Sequence, residues 1–228
     1  MPKVSVVLIA GGTGTRMQSE LPKQYIKLDG KPIALYSAEV FASHPSICEL
    51  IIVCHPDYKH YFQSIEGKCE LKFALPGKRR QDSIYNGFQK VSTDTDIVCT
   101  HDAARPFITQ ELVQRLIDET IANHAATLAV PLKFTIKEAD KNLRAVNTPD
   151  RSLYWEIQTP QALRKDLLHQ GFQLAHERNI TVTDDVSLAE LIQHPVKLVI
   201  GSDDNIKITT PIDLSIANTI IANRSCHG

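Results

Sequence analysis

The residues able to do chemistry sit in four short stretches. The first, Gly11-Gly12-Thr13-Gly14-Thr15-Arg16 with Lys23 close behind, follows an apolar run from Val4 to Ile9. Glycines at 11, 12 and 14 let the backbone turn sharply and bring its N–H groups up to an anion. Arg16 adds a planar, permanently charged fork and Lys23 a mobile point charge. The second stretch is Gly77-Lys78-Arg79-Arg80-Gln81-Asp82-Ser83, the third His101-Asp102-Ala103-Ala104-Arg105-Pro106, and the fourth Asp203-Asp204-Asn205-Ile206-Lys207. Cations, glycines and aspartates in this mixture suit a polyphosphate and its transfer, which needs positioned charge more than covalent help.

The phosphate loop is not a P-loop, because no Lys-Ser or Lys-Thr pair follows Gly14. It is not a dinucleotide fingerprint either, since Met17 stands where the third glycine belongs and the second apolar run ends in His55-Pro56 rather than an acid. The remaining pattern, A-G-G-x-G-x-R-M followed by P-K-Q-Y, resembles the nucleotidyltransferases that act on sugar and polyol phosphates. There is no G-x-S-x-G and no H-x-x-x-H pair, so serine-nucleophile and zinc chemistry find no support. Asp102 could cap the next helix or hold a cation. Thr109 already offers the cap, and a triphosphate site needs hard oxygen ligands for Mg²⁺. Ile206 and Ile208 should face the core, which turns Lys207 to the other side. His101 reads as structural rather than as a base.

These stretches need elements to carry them. A chain of 228 residues, 43% hydrophobic with a net charge of −1, is enough for one large domain and argues against a nucleic-acid groove. Strands are expected at Val4–Ile9, Leu50–Cys54, Leu71–Leu75, Ile97–Thr100, Thr127–Val130 and Val196–Ile200. Helices are expected from Lys31 to Ser43, after Ser83, after the Thr109 cap, from about Leu163 to Glu177, after Asp185 and from Pro211. Their alternation implies a doubly wound, mostly parallel, Rossmann-like α/β sheet, whose ligands bind at the carboxyl ends of the strands. All four chemical stretches fall at such ends. Five scattered cysteines without C-x-x-C, no long apolar span and no leader ahead of the first strand fit a reduced, cytoplasmic protein that does not enter a membrane.

Between Pro131 and Pro160 the alternation stops. The segment is charged, and a structureless loop of this length is uncommon inside a compact domain. It is expected to be a β-arm inserted in a single domain spanning 1–228, leaving it and returning at Leu153-Tyr154-Trp155. Trp155, the one tryptophan, suggests that the arm clasps a second copy.

Taken together, A-G-G-x-G-x-R-M, P-K-Q-Y, R-x-D-S at Arg80–Ser83, H-D-A-A-R-P, T-P-Q at Thr159–Gln161, T-D-D at Thr183–Asp185 and D-N-I-K-I-T at Asp204–Thr209 resemble the 2-C-methyl-D-erythritol 4-phosphate cytidylyltransferase family. The resemblance implies CMP transfer from CTP to the polyol phosphate with Mg²⁺, in non-mevalonate isoprenoid biosynthesis, by a homodimer. It gives Arg16, Lys23 and Lys207 the triphosphate and the developing charge. Ala10, Gly11, Gly12, Gly14, Thr15, Gly77, Ser83 and Ala104 become the CTP-binding set, with Ser83 and the Ala10-Gly11 backbone reading cytosine. Arg105, Thr135, Arg151, Thr159, Thr183 and Asp184 become the acceptor set, with Arg151 reaching over from the partner's arm. Asp102 and Asp204 would serve the metal, with Asp203 an alternative to Asp204. Ala10-Gly11-Gly12 and the Lys207–Pro211 ending also resemble the ribitol 5-phosphate cytidylyltransferases, although H-D-A-A-R-P favours the isoprenoid family. A non-catalytic nucleotide-sensing module would be expected to lack the metal aspartates or key cations, and this chain has them.

Overall fold

The computed structural model describes residues 2–12 and 21–225. The chain runs β1 (Val4–Ile9), β2 (Lys27–Leu28), β3 (Lys31–Pro32), α1 (Ile33–Ser43), β4 (Ile47–Val53), β5 (Glu70–Ala74), α2 (Arg80–Phe88), β6 (Ile97–Asp102) and α3 (Gln110–Asn123). It continues with β7 (Ala125–Pro131), β8 (Glu138–Ala139), β9 (Ala145–Asn147), β10 (Trp155–Arg164), α4 (Lys165–Glu177), α5 (Ser187–Leu191), β11 (Lys197–Ile200) and α6 (Pro211–Ser225). Seven strands form one sheet in the order β11-β7-β10-β6-β1-β4-β5. β10 is antiparallel to β6 and β7, while the other neighbouring pairs are parallel.

Strand alternation sends side chains to both faces. Val4, Val6 and Leu8 join α1 and α3 in one core, through Phe41, Leu112 and Leu116. Val7 and Val53 join α2, α4 and α5 in the other, through Ile84, Phe172 and Leu188. The expected doubly wound sheet is therefore present. Thr109 caps α3 as expected, its hydroxyl accepting from the Leu112 N–H. A third cluster seats α6: Ala217 and Ile208 pack with Leu28, Ile33 and Phe107.

One element differs from the sequence reading. Leu163 does not start a helix; it belongs to β10, and α4 begins at Lys165. β10 fills the sheet between β6 and β7, yet its buried centre is polar, with Gln158, Thr159 and Gln161 each no more than 6% exposed. That polarity hid the strand, because a strand is read from apolar pattern. Ahead of it, Phe134, Leu143 and Leu153 are exposed around the β8–β9 hairpin, and Trp155 is half-buried opposite Pro131.

Candidate active site

Strand order reverses between β1 and β6, and a cleft of about 350 Å³ opens at their carboxyl ends. Its lining joins the four stretches: Gly11, Gly12 and Lys23; Gly77, Lys78, Arg79, Arg80 and Ser83; Asp102 and Ala104; Lys207 and Thr209. A groove of about 950 Å³ at the other end of the strands, lined by Phe88, Ile97, His124 and Arg164, holds none of the expected site residues.

Close approach explains two of the glycines. A Cβ on Gly11 would stand 2.4 Å from Pro76 Cβ, and one on Gly77 would stand 2.4 Å from Asp82 Cβ. Gln24 holds the loop from below, donating from Nε2 to the Gly12 carbonyl at 3.0 Å. The Tyr25 hydroxyl donates to the Ala10 carbonyl at 2.9 Å, and the Ala10 N–H goes to the Val53 carbonyl at 2.9 Å. Ala10 is thus tied into the scaffold. Gly14, Thr15 and Arg16 lie outside the described residues.

At the start of α2, the Ser83 hydroxyl accepts from the Gly77 N–H at 2.9 Å and donates to the Arg79 carbonyl at 3.2 Å. Its proton is committed, so what it offers the cleft is a lone pair.

Asp102 ends β6 and is only 7% exposed. Its Oδ1 accepts from Arg80 Nε at 3.1 Å, and its Oδ2 pairs with Lys207 Nζ at 2.5 Å. Burial opposes its charge, but Arg80 and Lys207, helped by Arg105, hold the carboxyl far below the usual range. Arg80 is fixed in turn by a bidentate pair to Asp185, at 2.7 and 2.9 Å. Asp185 is 1% exposed and also accepts from the Thr100 hydroxyl at 2.5 Å. The sequence reading assigned no role to Arg80 or Asp185. Both lay inside the R-x-D-S and T-D-D motifs, and the apolar surroundings of Asp185-Val186 were the available sign of a buried acid.

Lys207 arrives on the linker between β11 and α6, outside any strand; Ile208 is buried as expected, whereas Ile206 is only half-buried. The Ile208 carbonyl accepts from Lys23 Nζ at 2.8 Å, and the Ile208 N–H donates to the Ala104 carbonyl at 2.8 Å. One linker therefore orders both lysines.

His101 is fully buried, edge-on to Phe41. Its Nε2 lies 3.0 Å from the Arg105 carbonyl and must donate there, so Nδ1 accepts from the Thr159 hydroxyl at 3.1 Å. Thr159 Oγ1 also accepts from the Asp102 N–H at 3.1 Å. Burial pulls the imidazole down to about 4, so it is neutral and structural. Thr159, expected at the acceptor, commits its proton and one lone pair to these partners and is buried.

The other expected acceptor residues do not line the cleft. Arg105 donates to the Asn205 carbonyl at 2.6 Å, and burial followed by the nearby Arg80 lowers its pKa. Asp184 accepts from the Ser187 N–H at 3.1 Å, and Thr183 is exposed beside it. Thr135 and Arg151 lie on the protruding segment, where Arg151 donates to the Lys133 carbonyl at 2.8 Å.

Metal fit rests on Asp102. Among the described residues no three His, Cys, Asp or Glu side chains gather as a metal cluster. Each Asp102 oxygen keeps a lone pair, and Mg²⁺ on a nucleotide needs only one or two carboxylates besides phosphate oxygens. Asp204 is outside the cleft lining and pairs with Arg224 at 3.4 Å, while Asp203 pairs with Lys133 at 2.7 Å.

Residues 4–223 match the sequence profile of 2-C-methyl-D-erythritol 4-phosphate cytidylyltransferase. The chloroplastic enzyme of that name from Oryza sativa subsp. japonica is 49% identical over 220 residues, covering 96% of this chain and 74% of its own. The Chlamydia pneumoniae enzyme is 40% identical, covering 97% and 100%. Among solved structures, 4-diphosphocytidyl-2C-methyl-D-erythritol synthase from Anaerococcus prevotii superposes with a TM-score of 0.87 at 29% identity, covering 97% and 96%. The Francisella tularensis cytidylyltransferase gives 0.81 at 30%, covering 96% and 99%. With Gly11, Gly12, Lys23, Lys207 and the buried Asp102 gathered at the sheet's switch point, the chain belongs to the 2-C-methyl-D-erythritol 4-phosphate cytidylyltransferase family.

Proposed function

We propose that this protein transfers CMP from CTP to 2-C-methyl-D-erythritol 4-phosphate, forming 4-diphosphocytidyl-2-C-methyl-D-erythritol and pyrophosphate in isoprenoid biosynthesis. The observation that carries the reading is the convergence of Lys23, Lys207, Arg80 and Asp102 on one cleft at the carboxyl ends of β1 and β6. The family match favours this acceptor over ribitol 5-phosphate. The match to a family of enzymes likewise favours turnover over a sensing module.

A phosphate oxygen of the acceptor attacks the α-phosphorus of CTP, the bond to the β-phosphate bridging oxygen breaks, and pyrophosphate leaves with the electron pair. A phosphomonoester has its second pKa at about 6, so the nucleophile is ionised at neutral pH without a general base. This agrees with a buried, neutral His101. Lys23 and Lys207 place positive charge where negative charge grows. Arg80 keeps Asp102 ionised, and Asp102 holds the Lys207 ammonium in the cleft. When bound with the triphosphate, Mg²⁺ would neutralise charge on its oxygens, and Asp102 is the carboxylate placed to hold it. Ser83 Oγ, with only a lone pair to give, suits the amino group of cytosine.

Of the expected segment 131–160, the part ahead of β10 serves as the dimerisation arm of a single nucleotidyltransferase domain, while 155–160 belong to the central sheet. Exposed Phe134, Leu143 and Leu153 support a clasp around a second copy. In such a dimer, Thr135 and Arg151 of each arm complete the acceptor site of the other subunit, together with Arg105 and Thr183.

The test is pyrophosphate release from CTP and Mg²⁺ with 2-C-methyl-D-erythritol 4-phosphate, ribitol 5-phosphate or no acceptor. Turnover should require the first. Faster turnover with ribitol 5-phosphate would replace the acceptor, and none with either would reinstate the sensing module.

A further inference from the structure

Residues 205–209, which order both cleft lysines, belong to no strand or helix. Upstream, the segment is tied to the H-D-A-A-R-P turn by the bond from Ile208 to Ala104. Downstream, the tie is Asp213, whose carboxylate takes most of the bonds. Asp213 Oδ2 accepts from the Thr209 N–H, the Thr209 hydroxyl and the Thr210 N–H, each at 2.8 Å. Beneath the linker, Ile208 is fully buried and Ala217 of α6 packs in the same cluster.

The bland account of Asp213 is a helix cap. It stands three residues after Thr210, where a capping box puts an acid. The bonding argues for more. The Asp213 N–H goes to the Thr210 carbonyl at 3.1 Å and not to the Thr210 hydroxyl, so the half of the box that serves the helix is not made. Two of the three bonds to Asp213 come from Thr209, which precedes the helix and lines the cleft.

We infer that Asp213 is a positioning residue for CMP transfer: by gripping Thr209 and Thr210 it sets the linker that places Lys207 against Asp102 and the Ile208 carbonyl under Lys23. Its pKa, held below the ordinary carboxylate value by these donors although burial opposes its charge, keeps the grip ionised. The inference rests on the reading that Lys23 and Lys207 hold the triphosphate.

The test is Asp213→Glu. Glutamate is a favoured acid at that cap position, so a capping role alone predicts unchanged Tm and unchanged kcat. A positioning role predicts otherwise, because one added methylene displaces the gripping oxygen. The kcat should fall roughly tenfold to a hundredfold, the scale expected for displaced reacting groups, with Tm near that of the parent. Asp213→Asn keeps an acceptor at the original place and should recover most of the loss. In a Lys207→Ala background, Asp213→Glu should cost less than in the parent, because only its effect on Lys23 remains. Parental kcat in Asp213→Glu overturns the inference, as does a full additional loss on Lys207→Ala. If Lys207→Ala itself turns over normally, the reading of the cleft has failed instead.

Discussion

Lys207 Nζ stands 2.5 Å from Asp102 Oδ2, while Arg80 Nε stands 3.1 Å from Oδ1 of the same carboxylate. One buried anion is shared between two cations that both line the cleft, one of them also held by a second carboxylate. Arg80 is the fixed one, since Asp185 holds the other edge of its guanidinium. Under the proposed function, Lys207 is the half that a triphosphate would draw forward.

Removing either cleft lysine should therefore cost turnover rather than fold. Lys23→Ala and Lys207→Ala are each expected to lower kcat by about 10²-fold, the usual loss when a donor aimed at developing charge is removed. Arg16→Ala carries the same expectation from the phosphate-loop motif. Pyrophosphate release measures the loss, and circular dichroism should be unchanged.

Asp185→Ala should do the reverse and damage the fold. It leaves the Arg80 guanidinium with half its partners, and breaking a buried pair costs about 3–5 kcal/mol. Asp184→Ala, on the half-buried neighbour that caps the loop through Ser187, should cost about 1 kcal/mol. Urea denaturation of the two variants should separate them clearly.

Base selection should favour CTP strongly over ATP and GTP. In the proposed function the base is read by the Ser83 Oγ lone pair, flanked in the cleft by Gly11 and Gly77, and that acceptor suits the amino group of cytosine. Comparison of kcat/KM across the nucleoside triphosphates tests this, and equal values would remove the base assignment.

Acid should destabilise the protein in two windows. His101 has a folded pKa of about 4 against an ordinary 6.5, so the unfolded chain takes up its proton first. Stability is complete above pH 6.5 and falls by about 3 kcal/mol as the pH drops to 4. Glu49 is buried at the far end of the sheet, where burial opposes its charge. Lys72, Ser5 and Ser92 outweigh that and hold it at about 2, against 4.5 when unfolded. Its contribution is complete above pH 4.5 and is lost between there and 2. Denaturation curves from pH 7 to 3 should show that His101→Gln flattens only the upper window and Glu49→Gln only the lower one.

Dimer geometry is tested by complementation. Arg151→Ala should raise the KM for the polyol phosphate far more than that for CTP. Mixing it with Lys23→Ala chains should restore one intact site in each mixed dimer, and so about half the activity of that species. No recovery after verified subunit exchange would place Arg151 in its own chain's site or make the protein a monomer.

Local chemistry was written in the chain. Glycine at 11 and 77, the cations at 23 and 207 and the aspartate closing β6 announce an anion site, because turn sterics, charge and strand alternation act over a few residues. Lys207 does line the cleft, as expected from Ile206 and Ile208, although the linker is no strand and Ile206 is only half-buried. Tertiary structure decided what each polar group has left to give. Thr159 was expected as a ligand contact, and its hydroxyl is engaged between Asp102 and His101 with one lone pair left, in a buried position. Ser83 keeps only a lone pair, and Ala10 has given its N–H to β4 and shares its carbonyl with Tyr25. β10 escaped the sequence reading for the same reason. Its polar centre is tolerable in the middle of a sheet only because Asp102, His101, Asp185 and Asn205, from distant parts of the chain, satisfy it there. Hydrogen-bond satisfaction is a property of the assembled neighbours, and no window of the sequence contains them.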